Sequence, residues 1–228
     1  LGFLWAFIQP FGTMAILIFV FDKTLHVKTE DIPYPLHAMA GMMLWTYFGF
    51  VLQQSGTSII SSQSIISKVY FPRLILPLSK AFVGLIDFFI SFLMLVALFI
   101  FFRFPLSPQM IYAPLFILLA MLASLGTGIL FSSVSVRYRD FQYVMPFVLQ
   151  VGLYITPIAY PTTFISEKWK WVYFLNPMAG IIEGLRWSIF DRKIMDPYCY
   201  VSFFTTFLIL LVGLFFFMKT ESKMADLV

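Results

Sequence analysis

Long uncharged stretches alternate with short polar punctuation along this chain. Residues 3–21 carry no charge and stop at Asp22-Lys23. Residues 36–66 are uncharged except for His37, and their apolar part runs to about Ser58. Residues 81–102 hold Asp87 alone, residues 106–136 are uncharged, and residues 141–166 are uncharged but carry Pro146, Pro157 and Pro161. Residues 197–218 are uncharged and end at Lys219. About 20 apolar residues cover the hydrocarbon core of a bilayer, so the pattern predicts six transmembrane helices. Each must be helical at membrane depth, because lipid offers no partner to free backbone groups. The fold class expected is an all-α integral membrane protein. The longest non-spanning segment, about 161–196, is too short for a soluble catalytic domain, and no internal repeat is visible. Residues 1–228 therefore read as a single membrane domain.

Composition sharpens this picture. Of 228 residues, 61% are apolar and only 11% charged, against roughly 25% charged in a soluble domain. That deficit excludes disorder, a nucleic-acid-binding surface and most soluble enzymes, and a net charge of +4 is too small for a phosphate-backbone binder. The single cysteine, Cys199, excludes a disulfide framework and a cysteine-rich metal site. The chain opens at Leu1 directly on an apolar helix without an initiator Met, so an upstream segment is expected. The first helix lacks the basic flank and small-residue cleavage site of a signal peptide.

Six crossings put both termini on one side. With that side cytoplasmic, Lys68, Arg73, Lys80, Arg137, Arg139 and the tail from Lys219 fall in short inner segments. A raw count of basic residues does not separate the two sides. Their density in the shorter loops favours cytoplasmic termini.

Catalytic signatures are missing: no glycine precedes a lysine, and neither HExxH nor CxxC occurs. No catalytic or metal site is expected, and any ATP must be bound by another chain. His26 and His37 read as interfacial residues. Asp87 shares a helical face with Lys80, Gly84 and Ser91. That face should point into the bundle, as a polar contact between helices or as an ion or proton site. Ala120, Ser124, Gly128 and Ser132, each four apart, form a small-residue ridge for close helix packing. Gln9-Pro10 in the first span, and Gln150, Tyr154 and Pro157 in the fifth, either line a polar pathway or bond between helices.

Residues 162–193 depart from the spanning pattern. Ser166 can cap a short helix from Glu167, with Trp169, Trp171 and Tyr173 suited to the headgroup layer. Asn176-Pro177 reads as an N-cap followed by a first-turn proline. The helix after it, about 178–190, spans roughly 20 Å, too short to cross, and carries Glu183 and Arg186 at i, i+3. A short re-entrant helix pair before the last span is expected, with a flat interfacial helix as the alternative. Two inner loops mix cations with aromatics: Ser67-Lys68-Val69-Tyr70-Phe71-Pro72-Arg73 and Arg137-Tyr138-Arg139-Asp140. Such loops dock another protein or anchor at the membrane surface.

Four motifs carry a resemblance over essentially the whole chain: SKVYFPR after the second span, VRYRD between the fourth and fifth, TPIAYP closing the fifth, and LNPMAGIIEGLRW before the sixth. In this order and spacing the chain resembles the permease subunits of type-2 ABC exporters, in the branch exporting O-antigen, capsular polysaccharide and teichoic acid. The resemblance implies a homodimer of permeases with two ABC ATP-binding subunits that hold ATP and Mg, so no cofactor on this chain. It implies a bacterial inner-membrane location, cytoplasmic termini and a lipid-linked polysaccharide cargo. By the same resemblance, Ser67 to Arg73 touch the ATPase and Arg137 to Asp140 form the second inner loop. Pro161, Trp169, Trp171, Asn176, Pro177, Glu183 and Arg186 then belong to an outer gate. The family's amphipathic helix before the first span is not found in this sequence.

A sliding polymer calls for rings that stack on sugar faces without fixed hydrogen bonds. Phe7, Phe11, Phe147, Gln150 and Tyr154 are the candidates for such a lining. Rival expectations are a type-2 permease for a small lipid, drug or haem, and an intramembrane enzyme acting on lipid-linked sugars.

Overall fold

The computed structural model describes residues 2–27, 29, 32–69, 71–190 and 195–221, with side chains from Phe7 onward. Its described residues are helical and contain no strand. Helix α1 (Gly2–Leu17) contains Pro10 and continues as a π-helical stretch, Ile18–Thr24. Helix α2 (Tyr34–Ser61) starts behind Pro33 and is followed by a single turn, α3 (Gln63–Ile66). Helix α4 (Ile75–Phe102) ends at Arg103, which adopts the left-handed conformation with φ 50°. A 3-10 stretch, Pro108–Tyr112, leads into α5 (Ala113–Arg137), and the Ser107 hydroxyl caps it by accepting from the Gln109 amide at 3.1 Å. Then come α6 (Phe141–Ile155), α7 (Glu167–Tyr173), α8 (Pro177–Ile189) and α9 (Cys199–Glu221).

Among the described residues, five helical stretches are long and apolar enough to cross a membrane: 7–24, α2, α4, 108–137 and α9. The remaining predicted crossing, the fifth along the chain at 141–166, is different. Its helix stops after 15 residues at Ile155. The cause is local: Thr156 precedes Pro157 and takes the extended conformation that a following proline imposes. Beyond it the chain runs irregularly to a 3-10 turn at Thr162–Phe164.

Helix α2 is the mast of the bundle. It is less apolar than α4 or α9, yet far more of it is buried. The division is physical: helices facing lipid need apolar exteriors, whereas a helix enclosed by protein does not. On one side α2 meets α5 along the predicted small-residue ridge, where Ser124 and Ser132 are buried and a Cβ on Gly128 would stand 2.8 Å from the Ser55 Cβ. The other side of α5 meets α9 even more closely. A Cβ on Gly213 would lie 2.6 Å from the Gly126 carbonyl oxygen. Ser124 donates its hydroxyl back to the Ala120 carbonyl of its own helix at 2.6 Å, whereas Ser55 of α2 reaches the Pro77 carbonyl of α4 at 2.9 Å.

Two clusters fix the direction of these three helices. Ile59, Ile129, Val136 and Phe217 pack together at one end, joined by Ile66 and Leu74. At the other end α8 rests on the N-terminal turns of all three. Gly41 of α2 adjoins Arg186, Phe116 of α5 adjoins Gly184, and Ser202 of α9 adjoins Gly180. Helices α2, α5 and α9 therefore run parallel, and α4 runs against them. A 28-residue helix such as α2 separates the two ends by about 40 Å.

Candidate functional site

At the α8 end lies a platform built around one side chain. Arg186 is fully buried. Its Nη2 donates to the carbonyls of His37 and Ile158, each at 2.8 Å, and its Nη1 donates to the Pro157 carbonyl. Glu183 completes the group with an ion pair at 3.3 Å. A guanidinium suits this place because its planar fork can serve several acceptors while its charge is matched nearby. Two of the carbonyls it serves, those of Pro157 and Ile158, belong to the irregular chain after α6, and the third, of His37, belongs to α2. Tyr34 reinforces the irregular chain by donating its hydroxyl to the Ala159 carbonyl at 2.9 Å.

Asn176 caps α8 as its sequence context predicts: the side-chain oxygen accepts from the Met178 amide at 3.0 Å. Its Nδ2 also donates to Thr156 Oγ1 at 2.8 Å, tying the start of α8 to the end of α6. Ser166 precedes α7 as expected, without a side-chain cap bond. Pro161 is buried, while Trp169 and Trp171 of α7 stay exposed. Lys170 bridges Glu167 at 2.7 Å and Asp196 at 3.0 Å. Burial pulls its pKa down, but hydrogen bonds and charges from the two carboxylates outweigh that and leave it raised. The Tyr173 hydroxyl donates to that of Tyr160, which in turn donates to the carbonyls of Tyr154 and Ile155, each at 3.0 Å. Burial raises the pKa of both phenols. His37, expected at the membrane edge, is instead fully buried, because α8 and Arg186 cover the first turn of α2.

Both inner-loop candidates lie at the opposite end. Lys68, Val69 and Pro72 are exposed, and Ser67 donates its hydroxyl to the Ser64 carbonyl at 3.4 Å. Phe71 is half-buried, and Tyr70 lies outside the described residues. Arg73 is engaged within the chain. Its backbone amide donates to Glu221 Oε1 at 3.2 Å and its guanidinium to the Glu221 carbonyl. Arg137, Tyr138, Arg139 and Asp140 are all exposed, with the Arg137 guanidinium 5.5 Å from the Tyr138 ring centre.

The candidate lining falls on two helices, α1 and α6, that each pack against α2. Helix α6 packs by Leu149 against Gly49, by Gly152 against Trp45, and by Met145 against Gly56. Its outward face exposes Phe147, Gln150 and Tyr154. Tyr143 continues that strip one turn earlier and is 73% exposed. It was missed in the sequence reading, although its four-residue spacing from Phe147 marks the same face. On α1, Phe11 is exposed and Phe7 half-buried. Helix α1 also brings Gln9, Pro10 and Thr13 to the face carrying Gly84, Asp87 and Ser91, around a polar cavity of about 300 Å³. The sequence treated Gln9 and Asp87 separately; the fold joins them.

A bundle of apolar helices with a polar platform at one end and cation–aromatic loops at the other is the architecture of a multi-pass membrane protein. The chain belongs to the ABC-2 type transporter family, whose model matches residues 1–190, and is thus a transporter membrane subunit rather than an enzyme. Membership implies pairing with an ABC ATP-binding subunit. Among curated relatives, an O-antigen export system permease protein RfbA of Klebsiella pneumoniae is 27% identical over 228 residues, covering 100% of this chain and 87% of the relative. The RfbA protein of Myxococcus xanthus is 26% identical over 86% of this chain and 75% of its own length. The polysialic acid transport protein KpsM of Escherichia coli is 23% identical over 98% of this chain and 88% of its own length.

Proposed function

We propose that two copies of this chain form the channel of an ATP-driven exporter that moves a lipid-linked polysaccharide across the bacterial inner membrane. The observation that carries the reading is the outward strip of α6, where Tyr143, Phe147 and Tyr154 expose rings beside Gln150. Rings offer a sugar polymer many equivalent stacking positions, so the polymer slides rather than binds. The names of the relatives support the same cargo class, since O-antigen and polysialic acid are both sugar polymers.

In this reading α1 and α6 of each copy face the channel, with Phe7 and Phe11 opposite the α6 strip. The chain crosses six times, with Phe141–Ile155 as a shortened fifth crossing, and both termini are cytoplasmic. The α7–α8 pair is re-entrant and forms the outer gate. The loop from Ser67 to Arg73 and the Arg137–Asp140 loop receive the two ATP-binding subunits. ATP closure then moves the inner loops, and the parallel helices carry that movement to the platform.

The test is the double substitution Phe147→Ala with Tyr154→Ala. Export of polymer to the cell surface should fall about tenfold or more, the effect of losing two stacking contacts of about 1 kcal/mol each, while the ATP-binding subunit still co-purifies. Unchanged export removes the strip from the channel.

A further inference from the structure

A second cavity, separate from the proposed channel strip, lies between α4, α5 and α8 at the platform end. It measures about 460 Å³. Leu95 and Phe99 of α4, Ile117 of α5 and Leu185 of α8 form its apolar walls. It opens outward, since Ile100 and Leu106 line it and are 73% and 67% exposed. An apolar cavity of about 150 Å³ takes up benzene, so this one accommodates roughly eighteen carbons on that scale. That is the length of one phospholipid acyl chain.

A single charged residue lines the cavity, Arg103. It follows the last turn of α4 and holds a left-handed conformation, φ 50° and ψ 36°, which disfavours a residue bearing a Cβ. Among the described residues, no carboxylate forms an ion pair with it. The oily slot thus ends at a cation exposed where α4 leaves its apolar stretch. We propose that the cavity holds an acyl chain of an anionic phospholipid from the leaflet at the platform end, with the lipid phosphate on the Arg103 guanidinium. The surrounding solvent at the slot is lipid, and a guanidinium pairs with phosphate oxygens in a bidentate fork. A lipid seated there lies against Leu185 and Ile189 of α8, so it supports the platform from the bilayer side.

The test uses the whole exporter, permease with its ATP-binding partner, in vesicles. One set contains phosphatidylglycerol with a diazirine at one acyl end; the other contains phosphatidylcholine with the same chain. Photolabelled peptides are then mapped. Labels from phosphatidylglycerol should concentrate on the α4, α5 and α8 segments around the cavity, about fivefold above those from phosphatidylcholine. Arg103→Gln, a surface change, should equalise the two headgroups while the assembled exporter is retained. Ile117→Trp, which places an indole in the slot, should lower labelling from both lipids severalfold. Labelling spread evenly along the exposed face of α4, or insensitive to both substitutions, overturns the proposal. So does cross-linking of a photoreactive residue at position 100 to a second copy of the chain instead of to lipid.

Discussion

The guanidinium of Arg186 donates to the carbonyl of His37, 149 residues earlier, at 2.8 Å. That one bond fastens α8 to the first turn of α2. Together with the Pro157 and Ile158 carbonyls it makes Arg186 the peg on which the chain after α6 hangs. Removing the peg takes the guanidinium donor from the Pro157 and Ile158 carbonyls and the ion-pair partner Arg186 from the buried Glu183 carboxylate. Arg186→Ala is expected to destabilise the folded protein by about 3–5 kcal/mol, the range for breaking a buried charge pair. Thermal unfolding of the purified protein in detergent measures this. Glu183→Gln should cost less, because Arg186 keeps its carbonyl partners.

Asn176 does two jobs with two atoms, and substitutions separate them. Asn176→Asp keeps the oxygen that caps α8 and loses the donor to Thr156. Asn176→Ala loses both. The alanine variant should cost about 1–2 kcal/mol and speed amide exchange at the start of α8. The aspartate variant should keep those amides protected and loosen only the junction with α6.

Arg73 separates docking from internal support. Arg73→Glu should reduce co-purification of the ATP-binding subunit and also break the tie to Glu221. Glu221→Ala removes the acceptor of the Arg73 amide and loosens the same tie without changing the charge of the loop. If the loop docks the ATPase through Arg73, Glu221→Ala lowers thermal stability but keeps co-purification. Equal loss of co-purification in Glu221→Ala and Arg73→Glu would make Arg73 a purely internal strut.

The Lys170 bridge predicts an alkaline limit. Its pKa is raised in the folded state, so the folded protein holds the proton more tightly than the unfolded chain. Stability from this group is fully present below the ordinary lysine value of 10.5 and is lost as pH rises through the higher folded value. Tyr160 and Tyr173, also raised, add to the same alkaline loss. Unfolding measured from pH 8 to 11 should therefore slope downward, and Lys170→Met should flatten the lysine part of that slope.

How much of this was legible in the sequence depends on the reach of each interaction. The Asn176 cap and the extent of α8 were readable because their cause lies within three residues, whereas α7 starts at Glu167 as expected but without the Ser166 cap bond. The ridge on α5 was readable because helical spacing is regular. The end of α6 was not, because freedom from charge does not measure helix length. The segment 156–161 is apolar but not helical, and its backbone is satisfied by Arg186 and Tyr34 from distant parts of the chain. For the same reason the tie between Arg73 and Glu221, 148 residues apart, leaves no local signature. The joining of Gln9 with Asp87 likewise depends on how α1 leans on α4.

Helices α2, α5 and α9 all end at the side of the Ser67–Arg73 and Arg137–Asp140 loops, and each of those ends carries about half an elementary negative charge. Cations keep company with them: Arg137 and Lys219 occupy last turns, and Arg73 rests on the final carbonyl of α9 at Glu221. Helices α4 and α6 run the other way, so the dipoles do not sum along the molecule. The attraction is local, and it holds each basic loop to the helix end it adjoins.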